Sequence, residues 1–256
     1  MHLLIIDAMN LIRRVYAVAE KSQASLEATE SRCLSIIARN AADSGATHVA
    51  MVFEEQVSTW RHDIWPDYKL GRPPMPQPLA EGLPLLRQRL TQQGLFCLDV
   101  LPWEADDVIA SLAHKAASAG VSVTIVSTDK GFCQLASEHI QTYSHFDRRL
   151  YNVEGVRGYY GLLPHQLVDF WALTGDSTNH LPGVPGIGPK TAGQLLDQFQ
   201  TLDALLVQLD DVPERWQAVL QQHWRDALLT RLLARLRLDV PLGVNLHDLR
   251  WRSFVR

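Results

Sequence analysis

The sequence predicts an α/β fold in which a parallel sheet is flanked by helices. Short apolar runs that lead into acidic residues alternate with helical patterns through about residue 130. Strands and helices that alternate in this way form parallel sheets with right-handed crossovers. After about residue 155 the chain becomes rich in leucine, glutamine and arginine at helical spacing, so a helical region is expected to follow.

Each predicted element rests on its hydrophobic pattern. Continuous apolar runs of strand length are typical of central parallel strands, whereas apolar residues spaced three and four apart indicate amphipathic helices. A polar, aromatic-rich stretch at 60–69 and a proline-rich stop at 73–76 lie between the predicted strand 48–53 and the predicted helix 79–93. The predicted strands are 2–6, 48–53, 94–100 and 121–127, and the predicted helices are 10–19, 26–42, 79–93, 108–119, 164–174 and 195–237.

Acidic residues follow the predicted strands. Asp7, Glu54 and Asp129 come after three of them, and Glu104 opens the loop and helix after a fourth. A single aspartate after a strand is usually a turn residue. Four such positions point to function, because the carboxyl ends of parallel strands share the edge of the sheet at which ligands bind.

Three carboxylates stand together at the head of the helix 108–119. Glu104, Asp106 and Asp107 follow Pro102, where a helix commonly begins. At 100° per residue Glu104 and Asp107 share one face, and Asp106 lies well off it. The helix dipole favours one or two acids here, but three crowded carboxylates repel one another and favour a bound cation.

An edge of carboxylates without clustered His or Cys suits Mg²⁺ or Mn²⁺ rather than zinc. Such an ion lowers the pKa of bound water and neutralises phosphate charge, which predicts hydrolysis of a phosphate ester. The chain has no GxxxxGK[ST] loop and no GxGxxG after a strand, so no nucleotide cofactor is expected.

The segment GVPGIGPK at 183–190 predicts a phosphate-binding hairpin. Gly186 and Gly188 allow close approach, Pro189 suits the first turn of a helix, and Lys190 adds positive charge. Carbonyls of this hairpin also suit a monovalent cation such as K⁺. The alternative is a plain glycine-rich loop. Upstream, Arg61, Tyr68, Lys69 and Arg72 suit a passage for single-stranded nucleic acid, or a solvated loop with incidental charge.

Composition sets the remaining expectations. A net charge of −4 means that any nucleic-acid surface must be local. Three widely spaced cysteines argue against a disulfide framework and suit the cytoplasm. The apolar runs are too short to span a membrane, the start of the chain lacks the pattern of a secretory signal, and a monomer is the default expectation.

The sequence resembles the flap endonuclease (5′-nuclease) family. The matching segments, in the family's order, are IIDAMNLIRR, WRHDIWPDYKLGRPPMP, WEADDVIA, VSTDKGFCQL and TGDSTNHLPGVPGIGPKTA. The resemblance implies a PIN-like nuclease core with a short helical arch over 1–158 and a helical DNA-binding region over 159–256 that contains a helix-three-turn-helix. It also implies metal-dependent cleavage of 5′ DNA flaps, as in removal of displaced strands during replication or repair.

The resemblance carries roles to individual positions. Acids of the metal site are Asp7, Glu54, Glu104, Asp106, Asp107, Asp129 and Asp176, and catalytic residues are Asp7, Lys69, Arg72, Asp106, Asp107 and Asp129. DNA-binding positions are Arg14, Tyr68, Gly186, Ile187, Gly188, Pro189, Lys190 and Thr191. K⁺ would be held by backbone oxygens around Leu173, Thr174, Pro182, Val184 and Ile187.

The sequence departs from the family at three acidic positions. Gly131 and Asn179 stand where the family usually has aspartates, and Glu54 replaces an aspartate. Two Mg²⁺ ions are expected, with Mn²⁺ as a substitute, and the second ion should be weakly held. Two alternatives stay open: a module that binds flaps without efficient chemistry, and a PIN-type ribonuclease, which leaves the GVPGIGPK hairpin unexplained.

Overall fold

The computed structural model describes residues 1–21, 26–54 and 58–252. They contain one six-stranded sheet in which five neighbouring strands are parallel and the last is antiparallel at one edge. This confirms the predicted α/β fold with a parallel sheet. The strands are β1 (His2–Asp7), β2 (His48–Val52), β3 (Phe96–Leu98), β4 (Ser122–Val126), β5 (Ile140–Ser144) and β6 (Arg149–Tyr151), in the order β3-β2-β1-β4-β5-β6.

The helices pack on both faces of the sheet and continue beyond it. The predicted helix over 195–237 is divided, since Gln200 takes a positive φ of 66° and Pro213 precedes a new helix. The helices are α1 (Ala8–Lys21), α2 (Leu26–Ser44), α3 (Trp60–Ile64), α4 (Gln77–Gln92), α5 (Ala105–Ser118), α6 (Val153–Tyr160), α7 (Leu167–Thr174), α8 (Pro189–Phe199), α9 (Leu202–Val207) and α10 (Glu214–Ala234).

Strand β1 lies at the centre of the sheet and separates two apolar cores. Leu3 and Ile5 pack on the face covered by α5, while Leu4 and Ile6 pack on the face covered by α1, α2 and α4. This division follows from the two-residue period of a strand. Because β1, β2 and β4 are parallel, the residues that follow them meet at one edge.

The helical region has a core of its own. Leu173 of α7, Leu196 of α8 and Ala227 of α10 are fully buried in it. The predicted boundary between residues 158 and 159 falls inside α6 (Val153–Tyr160). Beyond α10 the chain returns to the sheet, where Val240, Leu242 and Leu249 pack on the same face as α5.

The polar, aromatic-rich stretch at 60–69 contains α3 and leads into turns that continue to Gly71. Trp60 and Trp65 pack against Leu181 and Leu233, so the described part of this segment rests on the helical region. No helix among the described residues is long and apolar enough to cross a membrane.

Candidate functional site

Asp7 and Asp129 lie together at the carboxyl edge of the sheet. The hydroxyl of Ser127 donates to Asp7 Oδ2 at 2.8 Å and accepts the backbone N–H of Asp129 at 3.0 Å. The Asn10 side-chain amide makes two hydrogen bonds to Thr128. Asn10 Nδ2 donates to Thr128 Oγ1 at 2.9 Å, and Asn10 Oδ1 accepts from the backbone N–H of Thr128 at 3.1 Å. These bonds fix the end of β1 to the loop after β4.

Burial and like charges perturb the acids at this edge. Burial raises the pKa of Asp7 to about 6, and the charges of Asp129 and Glu54 add to the shift. Burial also raises the pKa of Asp106, again with contributions from Asp129, Glu54 and Asp7, while Lys69 opposes the rise. Four carboxylates from four places in the sequence therefore repel one another at one edge.

Lys69 places a positive charge beside these acids. Its Nζ lies 2.5 Å from Glu104 Oε2 and 3.8 Å from Glu54 Oε1. Burial opposes its charge, but Asp106, Glu54 and Glu104 together raise the pKa of Lys69 above its ordinary value. One ammonium group offsets only part of the negative charge at the edge.

The structure separates the other two acids of α5 from this edge. Asp107 is fully buried, and Arg61 Nη1 and Nη2 donate to its two oxygens at 2.7 and 2.8 Å. Trp60 Nε1 and the backbone N–H of Arg237 donate to the same carboxylate at 3.0 and 2.9 Å. Both Asp107 oxygens are thus engaged by a buried ion pair, and the metal and catalytic roles predicted for Asp107 stay predictions.

Glu104 belongs to the same buried group of charges as Arg61 and Asp107. Its Oε1 accepts from Thr59 at 2.8 Å and from Arg61 at 3.0 Å, and its Oε2 accepts from Tyr68 at 3.1 Å. Although burial opposes ionisation, Lys69 and Arg61 lower the pKa of Glu104 to about 2. The metal-ligand role predicted for Glu104 stays a prediction.

Two residues of the predicted nucleic-acid passage are also buried. Arg61 is 1% exposed and Tyr68 is 6% exposed, with the Tyr68 hydroxyl held by Glu104. These side chains support the site from within, and the DNA-binding role predicted for Tyr68 stays a prediction. Arg72, in contrast, is exposed, and its Nη2 donates to Asn179 Oδ1 at 2.6 Å.

Asp176 lies in the loop between α7 and α8, where its carboxylate is held locally. Oδ1 accepts from the backbone N–H of Thr178 at 2.9 Å, and Oδ2 accepts from Asn179 Nδ2 at 2.5 Å. The Asn179 amide thus bridges Asp176 and Arg72. An aspartate at position 179 would remove the amide donor and place a second carboxylate beside Asp176.

The hairpin before α8 has the shape that its glycines require. Gly186 has a φ of 80°, and a Cβ on Gly183 would lie 2.3 Å from the backbone N of Gly175. Ile187 is buried and anchors the turn, while Gly186, Gly188, Pro189 and Lys190 are exposed and Thr191 is partly exposed. The exposed N-terminus of an eleven-residue helix with a lysine beside it suits an anion.

The proposed K⁺ carbonyls are partly engaged within the chain. The carbonyl of Leu173 accepts from Val184 N at 2.8 Å, that of Val184 accepts from Ile187 N at 3.0 Å, and that of Pro182 accepts from the Thr230 hydroxyl. Each carbonyl keeps a second lone pair. The prediction of a K⁺ site at Leu173, Thr174, Pro182, Val184 and Ile187 stays a prediction.

One cleft joins the sheet edge to the helical region. It runs from Asp106 and Asp129 to the loop that precedes α8, so residues far apart in the sequence face a common space. The predicted site residues that line it are Arg14, Tyr68, Arg72, Asp106, Asp129, Thr174, Asp176 and Pro189.

The donor set fits a hard divalent cation that needs further ligands. Across the described ranges, no three His, Cys, Asp or Glu side chains lie close enough to hold an ion by themselves. Mg²⁺ is commonly bound by one or two carboxylates and completed by waters and substrate phosphates. Asp7 and Asp106, whose charges are opposed by burial and by neighbouring acids, are the groups that such a cation would stabilise most.

Several supporting residues were not predicted from the sequence. Ser127 connects Asp7 to Asp129, and Asn10 bonds Thr128 in the loop after β4. Their position directly beside Asp129 and Asp7 in the sequence is the only available signal. The role of Arg61 has no local signal, because its partners lie in α5 and at the end of α10.

The fold and the acidic edge together define a nuclease of the 5′-nuclease class. Residues 2–161 match the family model for the 5′-3′ exonuclease N-terminal resolvase-like domain, and residues 162–256 match the model for its C-terminal SAM fold. The chain therefore belongs to the 5′-3′ exonuclease family.

Relatives and solved structures agree with this membership. The chain is 44% identical over 251 residues to the flap endonuclease Xni of Cronobacter sakazakii, with 97% of this chain and 98% of that protein covered. It is 45% identical over 255 residues to the flap endonuclease Xni of Aeromonas salmonicida, with 98% and 96% covered.

Solved structures show the same fold at low sequence identity. The T5 5′-exonuclease with bound divalent zinc ions has a TM-score of 0.78 and 20% identity, with 91% of this chain and 89% of that chain covered. The catalytic core of Rad2 in complex with a DNA substrate has a TM-score of 0.59 and 13% identity, with 94% and 81% covered.

Proposed function

We propose that the protein is a divalent-metal-dependent, structure-specific DNA endonuclease that cuts near the base of a 5′ single-stranded flap. The observation that carries the proposal is the cleft that joins Asp106 and Asp129 to the loop before α8. Metal chemistry at one end and phosphate binding at the other suit a phosphodiester held between them. Removal of displaced 5′ strands during replication or repair is the expected setting.

Asp7, Asp106, Asp129 and Glu54 would hold the divalent ion. Mg²⁺ is the proposed ion, with Mn²⁺ as a substitute, and a second ion would be held weakly because Gly131 and Asn179 supply no carboxylate. When bound, the ion lowers the pKa of a coordinated water and neutralises charge on the scissile phosphate.

The chain's own cations and hairpin would position the DNA. Lys69 and Arg72 lie beside the acids and the 176–179 loop, where they suit the phosphate at the cut. The exposed hairpin residues Gly186 to Thr191 suit the duplex backbone and carry no base-reading group. K⁺ on the hairpin carbonyls would add a fixed positive charge to this grip.

The remaining assignments complete the proposal. Residues 1–158 would form the nuclease core and 159–256 the DNA-binding region, with the tail after α10 returning to cover the core. A monomer without a nucleotide cofactor, acting in the cytoplasm on branched DNA, is the proposed form.

Cleavage of end-labelled substrates tests the proposal. A DNA flap, a matched RNA flap and an unbranched duplex should be compared in Mg²⁺, Mn²⁺ and EDTA, with Lys115→Ala on the far end of α5 as a control for handling. The proposal expects metal-dependent cleavage of the DNA flap above the other two. Binding without cleavage would favour the binding module, and preference for RNA would favour the ribonuclease.

A further inference from the structure

A second cleft lies between α2 and the turn that joins β5 to β6, and its walls are basic and aromatic. We propose that this cleft binds the single-stranded arm of the DNA substrate, an inference that rests on the proposed flap substrate. We call it the turn cleft, and its lining includes Arg32, Arg39, Tyr143, His145, Phe146 and Arg148.

Hydrogen bonds fix the floor of the turn cleft. Asn40, which is 5% exposed, donates one amide hydrogen to the Ile36 carbonyl at 2.7 Å and the other to His145 Nδ1 at 3.1 Å. The imidazole therefore accepts at Nδ1 and carries its proton on Nε2. Ser144 donates to Asp147 at 2.7 Å and braces the turn on its other side.

The aromatic side chains of the turn cleft pack edge to face, and Phe146 is exposed at the surface. His145 contacts Tyr143 and Phe146 at ring-centroid distances of 6.4 and 5.5 Å, with interplanar angles of 79° and 85°. Phe146 is 39% exposed. A large apolar ring held at the surface among cations is the arrangement on which unpaired bases stack.

Positive charge in the turn cleft is largely uncompensated. Arg32, Arg39 and Arg148 are exposed, and the acid among the lining residues is Asp43, which lies 3.6 Å from Arg39. In the described part of the chain, neither Arg32 nor Arg148 has a carboxylate within ion-pair distance. Because the whole chain has a net charge of −4, this excess is a local feature that favours a polyanion.

Arg14 connects the turn cleft to the acidic cleft. Its side chain lines the cleft that contains Asp106 and Asp129, and its guanidinium lies 5.6 Å from the centre of the Phe146 ring. A strand leaving the acidic edge would meet Arg14 first and the turn cleft next. Phosphates would pair with the arginines while a base stacks on Phe146.

The aromatic ring decides between a single strand and a duplex. Bases in a duplex are stacked on one another and offer no free face. The phosphates of a duplex would therefore contact the arginines, and no base would stack on Phe146. We therefore assign the turn cleft to unpaired nucleotides, and duplex binding becomes an outcome that the experiment can detect.

Fluorescence anisotropy in EDTA tests this assignment without cleavage. One substrate carries a 5′ arm of about 20 nucleotides, longer than a typical single-strand site of about 4–16 nucleotides. The other is the same duplex with a nick and no arm. The test variant is Phe146→Ala/Arg148→Ala, which changes two exposed side chains. The control is Lys115→Ala, an exposed position on α5, which covers the opposite face of the sheet from α2.

We expect the test variant to bind the armed substrate about tenfold more weakly and the nicked duplex as the wild type does. The slope of log affinity against log salt on the armed substrate should fall in magnitude by about 0.7 for the lost arginine. Wild-type affinity for the armed substrate, or an equal loss on both substrates, would overturn the proposal. If the wild-type protein cuts no flap but the arm-specific loss persists, the cleavage proposal fails and the turn cleft stands.

Discussion

Arg61 should be the most stabilising buried charge in the protein. It is 1% exposed and donates to Asp107, to Glu104 and to the carbonyls of Leu233 and Arg235, which joins α3 to α5 and to the end of α10. In Arg61→Met, Asp107 would keep only the Trp60 and Arg237 donors and no counter-charge. Breaking such a pair on one side typically costs about 3–5 kcal/mol.

Urea unfolding followed by tryptophan fluorescence in EDTA measures this cost. A loss of about 3–5 kcal/mol is a large part of the roughly 5–15 kcal/mol that stabilises a typical domain. Arg39→Met is the matched control, since Arg39 pairs with Asp43 at the surface and the variant should lose less than about 1 kcal/mol. Arg61→Met/Asp107→Leu should recover part of the loss, because it removes the orphaned charge.

If Arg61→Met unfolded within about 1 kcal/mol of the wild type, the buried pair would not hold these elements together. The structural role that we assign to Asp107 as the partner of Arg61 would then lose its physical basis.

Three further predictions concern the acids. Asp7→Asn should stabilise the metal-free protein by up to about 3 kcal/mol at neutral pH, since the Asp7 pKa is raised from 3.8 to about 6, while it lowers metal-dependent cleavage; thermal unfolding in EDTA and a cleavage assay would show both. The metal-free protein should gain stability as pH falls through about 6, where folded Asp7 takes up a proton before the unfolded chain does. As pH falls from 4.5 through about 2, the protein should then lose the stability that ionised Glu104 contributes. Urea unfolding midpoints measured against pH would contradict these expectations if they decreased steadily from pH 7. Asn179→Asp should destabilise the metal-free protein and make its melting temperature more dependent on Mg²⁺, because Asp176 loses a donor and gains a like charge; an unchanged Mg²⁺ response would refute this.

The sequence predicts the acidic edge well because strand ends in a parallel sheet must meet there. The helical phase of α5 also separates Asp106 from Glu104 and Asp107, and the structure has this separation. The helical phase does not reveal which residue contacts Glu104 and Asp107 on the other face. Arg61 reaches Asp107 across 46 residues of sequence and Leu233 across 172, and no local pattern records such contacts.

Local sequence patterns also fail to predict strands β5 and β6 and the burial of Arg61 and Tyr68. Strand β5 alternates buried and partly exposed residues with polar side chains, and β6 has only three residues, so neither forms an apolar run. Arg61 and Tyr68 belong to a polar, aromatic stretch that reads as a surface loop. They are buried because α10 and its C-terminal end cover them, which only the folded chain shows.

The central claim is that the acids of α5 divide into a metal-binding Asp106 and a structural Asp107. Cleavage of a 5′-flap DNA substrate by Asp106→Asn and Asp107→Asn across a Mg²⁺ titration, alongside urea unfolding in EDTA, tests it most directly. We expect Asp106→Asn to lose about a hundredfold or more in cleavage at unchanged or higher stability, and Asp107→Asn to lose stability without metal. Equal loss of cleavage at equal, undiminished stability would contradict the division.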